Sequence, residues 1–77
     1  MTATHTPKVV SAKGANDGHT VYLTSCDAWS RDISVAELLT EDDFDWRLAF
    51  ARRLREVVGA KLTNARAGAQ GFPELAA

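Results

Sequence analysis

Three features that often reveal a protein's location are missing from this sequence. There is a single cysteine, Cys26, so no disulfide can form within the chain. No run of about 18 apolar residues occurs, so we expect no transmembrane helix. Residues 1–6 are polar and lack the apolar core of a secretory signal. Together these absences predict a cytoplasmic protein that does not enter the membrane.

The chain is also short. Its 77 residues form one domain at most, and a domain of this size buries only about 60% of the surface that its unfolded chain exposes. A hydrophobic content of 45% nevertheless suits a folded protein. We expect a disordered tail over residues 1–6, a single α+β domain over 7–66 and a flexible C-terminal segment over 67–77. The thin core leaves little room for a deep catalytic cleft.

The net charge is only −1, which argues against a uniformly basic nucleic-acid binder. The charges are unevenly distributed along the chain. Residues 1–45 carry three basic and eight acidic groups, whereas residues 46–77 carry six basic and two acidic groups. The chain is therefore acidic in its first part and basic in its last.

The first half of the chain predicts a β-hairpin. Residues 8–12 are a short β-rich run, and residues 14–18 are rich in glycine, asparagine and aspartate, which favour a tight turn. Residues 19–24 then alternate strictly, with Val21 and Leu23 on one face of the predicted strand. Thr20, Tyr22 and Thr24 face the other way. A short third strand is expected at 29–31, whereas residues 33–39 fit either a strand or a helical turn.

One helix is predicted over residues 41–56, with Thr40 as its N-cap. Its apolar stripe is expected to pack on the strands, and a last strand follows at 57–63. The predicted fold is α+β: a small antiparallel sheet of three to four strands with one helix packed on one face. The expected core pairs Phe44, Leu48, Ala51 and Leu54 of the helix with Val9, Val21, Leu23 and Val58 of the sheet.

The sequence offers no convincing catalytic or metal-binding pattern, and we expect neither an active site nor a cofactor. Cys26 has no basic sequence neighbour that would favour a reactive thiolate. His5, His19, Cys26 and Asp27 lack the closely spaced ligand pairs of structural zinc sites. An enzyme is therefore the least favoured interpretation.

The best functional candidate is a surface formed by large aromatic residues and the arginine-rich end of the helix. A thin core cannot bury every large aromatic group, and those left exposed often mark interfaces. The alternatives are core packing for the aromatics and favourable interaction with the helix dipole for the arginines. The candidate interaction surface consists of Trp29, Trp46, Phe50, Arg52, Arg53 and Arg55.

The order of several sequence blocks resembles a family of short bacterial proteins known as domain of unknown function 2849. The resemblance covers roughly residues 7–62 and rests on spacing rather than on a catalytic signature. Members of that family usually continue past the last strand with a further strand, which this chain is expected to lack. The blocks are Pro7-Lys8-Val9-Val10, Gly18, Val21-Tyr22-Leu23-Thr24, Trp29-Ser30-Arg31-Asp32, Ala36-Glu37-Leu38-Leu39-Thr40 and Val57-Val58-Gly59.

Proteins of this family are often encoded beside assimilatory sulfite reductase, so the resemblance implies an accessory role in sulfur assimilation. The leading hypothesis is a protein-interaction module, and sulfite reductase is the partner that the resemblance suggests. The alternative is nucleic-acid binding through the arginine-rich helix end, which predicts a steep dependence on salt. A homodimer is compatible with either, because the terminal strand exposes an edge and a thin core gains from extra burial.

Overall fold

In the computed structural model, which describes residues 6–76, the chain forms one α-helix packed on a curled antiparallel sheet of five strands. The α+β prediction is confirmed, but the described residues contain more strands than the three to four expected. The strand order in the sheet is β3-β2-β1-β4-β5. The elements are β1 (Lys8–Gly14), β2 (Thr20–Leu23), β3 (Trp29–Ser30), a 3₁₀ helix (Ile33–Val35), a second 3₁₀ helix (Glu41–Asp43), α1 (Phe44–Arg52), β4 (Val57–Ala67) and β5 (Pro73–Leu75).

The predicted hairpin is confirmed by the pairing of β1 with β2, in which Ser11 lies opposite Tyr22. Gly18 has a φ of 70°, a left-handed conformation that glycine adopts without steric cost. The Asp17 carboxylate accepts a hydrogen bond from the backbone N–H of His19 at 3.0 Å. That bond, aided by the charges of His19 and Arg31, lowers the pKa of the Asp17 carboxyl.

The ambiguous segment 33–39 begins with a helical turn and then makes isolated bridges to the sheet without forming a strand. Its 3₁₀ helix is capped by Asp32, whose Oδ1 accepts hydrogen bonds from the Ser34 hydroxyl at 2.7 Å and from its backbone N–H at 2.9 Å. These two bonds lower the pKa of the Asp32 carboxyl. Beyond the 3₁₀ helix the backbone bonds to both β1 and β2. Leu39 exchanges two hydrogen bonds with Lys8, and the Glu37 N–H donates to the carbonyl of Leu23.

The helix is shorter than predicted. Residues 41–43 form a 3₁₀ helix, and Thr40 makes no side-chain capping bond. The α-helix ends at Arg52, after which the N–H groups of Arg53 and Leu54 make tight bonds three residues back, to Phe50 and Ala51. Helical structure therefore begins at Glu41 as predicted, although its first three residues are 3₁₀, and the prediction is wrong at the other end, where the α-helix stops at Arg52 instead of residue 56.

Two residues of the predicted core are misplaced. The main core, under the helix, contains Val10 rather than Val9 and Val57 rather than Val58, which is exposed. Val9 is fully buried, but in a second cluster with Ala36 and Ala65. Phe44, Leu48 and Ala51 of the helix, and Leu54 in the turn after it, pack on this core as predicted. The main core consists of Val10, Ala12, Leu23, Leu39, Ala51, Val57 and Ala60.

A β-bulge explains the shift in β4. Ser11 pairs with Lys61 but Lys13 pairs with Val58, so two steps along β1 match three along β4. The extra residue reverses the in-and-out alternation, which lets Val57 and Ala60, three residues apart, both face the helix. Gly59 lies within the bulge with a φ of 67°, a conformation that bulges often require of glycine.

Replacing Gly59 with alanine should destabilise the fold by about 1 kcal/mol, because the left-handed conformation strains any residue with a Cβ. Space is not the obstacle, since a Cβ at this position meets no atom within 4 Å. Gly59→Asn should cost less, because asparagine tolerates this conformation better. Urea unfolding of the two variants checks this expectation. A larger loss for Gly59→Asn than for Gly59→Ala would show that side-chain bulk rather than backbone conformation is limiting.

Part of the predicted flexible segment 67–77 forms a strand. Residues 73–75 form β5, which pairs antiparallel with the end of β4, and Ala65 lies opposite Leu75. The turn between them is closed by a hydrogen bond from the N–H of Gly68 to the carbonyl of Phe72. Of the predicted tail over residues 1–6, residues 1–5 lie outside the described part of the chain.

Candidate functional site

Trp46 is the most prominent side chain on the outer surface of α1. It is 56% exposed although it is a large aromatic residue. Its indole N–H donates a hydrogen bond to Asp43 Oδ1 at 2.8 Å. The guanidinium carbon of Arg47 lies 5.0 Å from the centre of its ring. The indole is thus held from two sides while much of its surface faces solvent.

Arg47, by contrast, is buried, with a relative exposure of 3%. Nη1 donates to Asp27 Oδ1 at 2.8 Å, and Nη2 donates to the carbonyl oxygen of Thr24 at 3.0 Å. Nε lies 2.8 Å from Glu37 Oε1, an ion pair that lacks hydrogen-bond geometry. The side chain also contacts the Phe50 ring, 5.2 Å from its centre. Arg47 therefore ties the helix to two separate loops.

The loop that receives Arg47 is shaped by its own sequence. The Thr24 hydroxyl oxygen accepts hydrogen bonds from the N–H groups of Cys26 and Ala28. Asp27 has a φ of 65°, which aspartate tolerates better than most residues. This conformation presents the Asp27 carboxylate to the helix. The neighbouring Cys26 is a free, exposed thiol.

The structure does not gather the residues considered as metal ligands. His19 lies in the β1–β2 loop and Cys26 and Asp27 lie in the β2–β3 loop, while His5 is outside the described residues. Across residues 6–76, no three histidine, cysteine or carboxylate side chains are grouped as a metal ion would require.

The predicted interaction surface is divided. Trp29 and Phe50 are half-buried and pack against the main core, which was the alternative considered for them. The Trp29 indole N–H is buried without a hydrogen-bond partner. Trp46 remains on the surface, and so do Arg52, Arg53 and Arg55, which lie at the end of α1 and in the following turn.

The opposite face of the sheet contains a groove of about 370 Å³, which the sequence analysis did not identify. The predicted alternation of β2 was the available signal, because it placed Thr20 and Tyr22 on the face away from the core. Most of the other lining residues lie on β1 and β4, and the sequence alone does not show how these two strands pair. The groove is lined by Ser11, Ala12, Lys13, Thr20, Tyr22, Gly59, Lys61, Thr63 and Leu75.

Comparison with protein families shows that this chain has relatives. The model of the family described as "Protein of unknown function (DUF2849)" matches residues 8–76, which include every strand from β1 to β5. The chain belongs to this family. Among curated proteins and solved structures, no match to the chain was found.

Membership in DUF2849 confirms the resemblance and corrects one detail of it. The further strand that we expected this chain to lack is present as β5, and the DUF2849 match extends past it. The sequence signal was weak because β5 contains three residues and begins with proline. Within residues 6–76 no helix of this DUF2849 protein is long and apolar enough to cross a membrane.

Proposed function

We propose that this protein is a protein-interaction module that binds a partner through the outer surface of α1 and the turn after it. The contact residues are Trp46, Arg52, Arg53 and Arg55. The proposed partner is a cytoplasmic enzyme of sulfite reduction, sulfite reductase itself being the first candidate. The module contributes binding and no catalytic step of its own.

The observation that carries this proposal is the exposed, restrained indole of Trp46. Tryptophan is strongly enriched among the few residues that dominate binding energy at protein interfaces. An interface side chain usually loses rotamer freedom on binding, which opposes association. The hydrogen bond to Asp43 and the stacked Arg47 already restrict Trp46, so less freedom remains to be lost.

The arginines beside Trp46 indicate the character of the partner surface. Arg52, Arg53 and Arg55 are exposed and have one acidic sequence neighbour, Glu56. The other acidic residues of this element lie at its opposite end, in the 3₁₀ helix Glu41–Asp43 and at Asp45 in the first turn of α1. The helix dipole explains why cations are favourable at that end, but it leaves their outer surface free to pair with carboxylates. A partner with an acidic patch beside an apolar pocket would match this arrangement.

Trp46→Ala should weaken binding to purified sulfite reductase by about tenfold or more, since truncating an interface tryptophan commonly removes over 1.4 kcal/mol. Arg52→Glu should slow association because it reverses a charge that attracts an acidic surface. Both effects are measured by surface-based kinetics with the reductase from the same host.

The controls are Val35→Ala, an exposed apolar residue outside this surface, and Lys61→Gln, a charge removed from the opposite face of the sheet. Both should bind like the parent. If Trp46→Ala and Arg52→Glu also bind like the parent, the proposed surface is wrong. If the reductase does not bind at all, the proposed partner is wrong.

Nucleic-acid binding by the same arginines is tested alongside. Counterion release predicts a mobility shift at low salt that disappears as salt rises. Arg52→Glu should abolish such a shift, whereas Trp46→Ala should leave much of it. Absence of any shift at low salt would leave only the protein-binding proposal.

A further inference from the structure

The groove on the sheet face opposite α1 has the composition of an anion-binding site. We propose that it binds a small organic molecule that carries a phosphate-like oxyanion. This site is separate from the α1 surface and does not depend on the protein-interaction proposal. The argument rests on the excess of hydrogen-bond donors in the groove, on its charge and on its size.

The register of the strands brings the polar groups together. Lys61 lies opposite Ser11 on one side of β1, and Tyr22 lies opposite Ser11 on the other. Lys13 follows two residues along β1, opposite Thr20. Side chains opposite each other or two residues apart on one face lie within reach of a common ligand.

The hydroxyl groups are arranged so that protons remain available for a ligand. Ser11, which is only 4% exposed, and Thr63 have their hydroxyl oxygens 2.7 Å apart. One of the two hydroxyls donates to the other, and the accepting hydroxyl keeps its own proton free. The Lys13 ammonium donates to Thr20 Oγ1 at 2.8 Å, so the Thr20 hydroxyl proton is also free.

The charge of the groove is entirely positive. Lys13 and Lys61 line it, and none of the lining residues, all within the described part of the chain, is acidic. Within residues 6–76 neither lysine is ion-paired with a carboxylate. Glu74, adjacent to the lining residue Leu75, is paired with Arg66 at 2.8 Å. An oxyanion would accept the unused donors and offset the repulsion between two lysines.

The size and the apolar lining favour an organic molecule over a bare ion. A volume of about 370 Å³ is within the range of small-molecule sites and exceeds what one phosphate needs. The half-exposed Leu75 and the aromatic ring of Tyr22 supply apolar contact surface beside the polar groups. Threonines are common on the exposed face of an antiparallel sheet. That tendency does not explain why two lysines without carboxylate partners lie around a buried serine.

The test is a titration of the ¹⁵N-labelled protein, followed by amide chemical shifts, with phenyl phosphate, inorganic phosphate and phenol as probes. Phenyl phosphate should give saturable shifts centred on Lys13, Tyr22 and Lys61. Inorganic phosphate should bind the same residues more weakly because it lacks the apolar part, and phenol should not saturate. Lys13→Gln and Lys61→Gln should each raise the Kd for phenyl phosphate about tenfold, as expected for losing a charge-assisted hydrogen bond.

Arg55→Gln is the matched control, because it removes the same charge at the end of α1 and should leave the Kd unchanged. Non-saturating shifts, or equal weakening by Arg55→Gln and Lys61→Gln, would overturn the proposal in favour of diffuse charge attraction. Tighter binding of inorganic phosphate than of phenyl phosphate would overturn the organic part. Sulfite reductase binding serves to separate the two proposals, since Lys61→Gln should disturb only the groove and Trp46→Ala only the α1 surface.

Discussion

Replacing Leu39 with alanine should lower the free energy of unfolding by about 3 kcal/mol, the range found for leucine truncation in well-packed cores. Leu39 is 2% exposed and is one of the largest fully buried side chains among the described residues. It belongs to the main core under α1. Its backbone exchanges two hydrogen bonds with Lys8, so the segment is fixed at this point and cannot easily move to fill the cavity. Urea unfolding followed by circular dichroism measures the change.

The matched control is Leu75→Ala, which removes the same atoms from a half-exposed side chain and should cost under about 1 kcal/mol. Leu39→Met provides a second test if Leu39→Ala does not fold, because a volume-conserving replacement should cost less than about 1.5 kcal/mol. Similar losses for Leu39→Ala and Leu75→Ala would mean that residues 36–39 are not a fixed part of the core.

Residues 33–39, which include Leu39, were the part of the fold that the sequence predicted least well. Residues 33–39 have no strict alternation and no long apolar period, so local sequence favours neither state. Their conformation is decided by partners distant in the chain: Lys8 on β1 and Leu23 on β2 bond to residues 37–39. The hairpin, in contrast, was predictable because its turn and its alternating strand are local signals.

The bulge in β4 shows a second feature that could not be predicted from the sequence. Alternation alone cannot say whether Val57 or Val58 faces the core, because the β-branched pair fits either choice. The positive φ of Gly59 and the pairing with β1 settle it, and both require the register. The glycine was visible in the sequence, but its role in reversing the alternation was not.

The candidate surfaces were predictable to different degrees. The composition predicted that some large aromatic residues would remain exposed, and Trp46 does, but the helical pattern could not separate it from the half-buried Phe50 four residues later. The groove is lined by residues of four paired strands, so only its Thr20 and Tyr22 edge could be predicted from the sequence. The burial of Arg47 was not predictable, because its carboxylate partners are 10 and 20 residues away in sequence.

Replacing Arg47 with methionine should destabilise the fold by about 2 kcal/mol, somewhat less than a fully buried ion pair loses with one partner. Methionine retains much of the side-chain volume beside Phe50, but it leaves Asp27 and Glu37 without their cation. It also removes one of the two donors to the Thr24 carbonyl, which keeps its hydrogen bond from the backbone N–H of Asp27. The carboxylate side chains are 54% and 32% exposed, so water can restore part of the lost solvation. Chemical unfolding in low salt gives the difference.

Arg47→Lys separates charge from geometry. An ammonium group cannot reach two carboxylates and a carbonyl with the planar fork of a guanidinium, so this variant should recover less than half of the loss. Arg52→Met makes the same substitution as Arg47→Met at an exposed position of the same helix and should change stability by less than about 0.5 kcal/mol. If Arg47→Met is as stable as the parent, the free-energy cost of burying the guanidinium equals the stabilisation from its three polar contacts. In that case Arg47 would serve mainly to hold Trp46, and the variant would lose partner binding without losing stability.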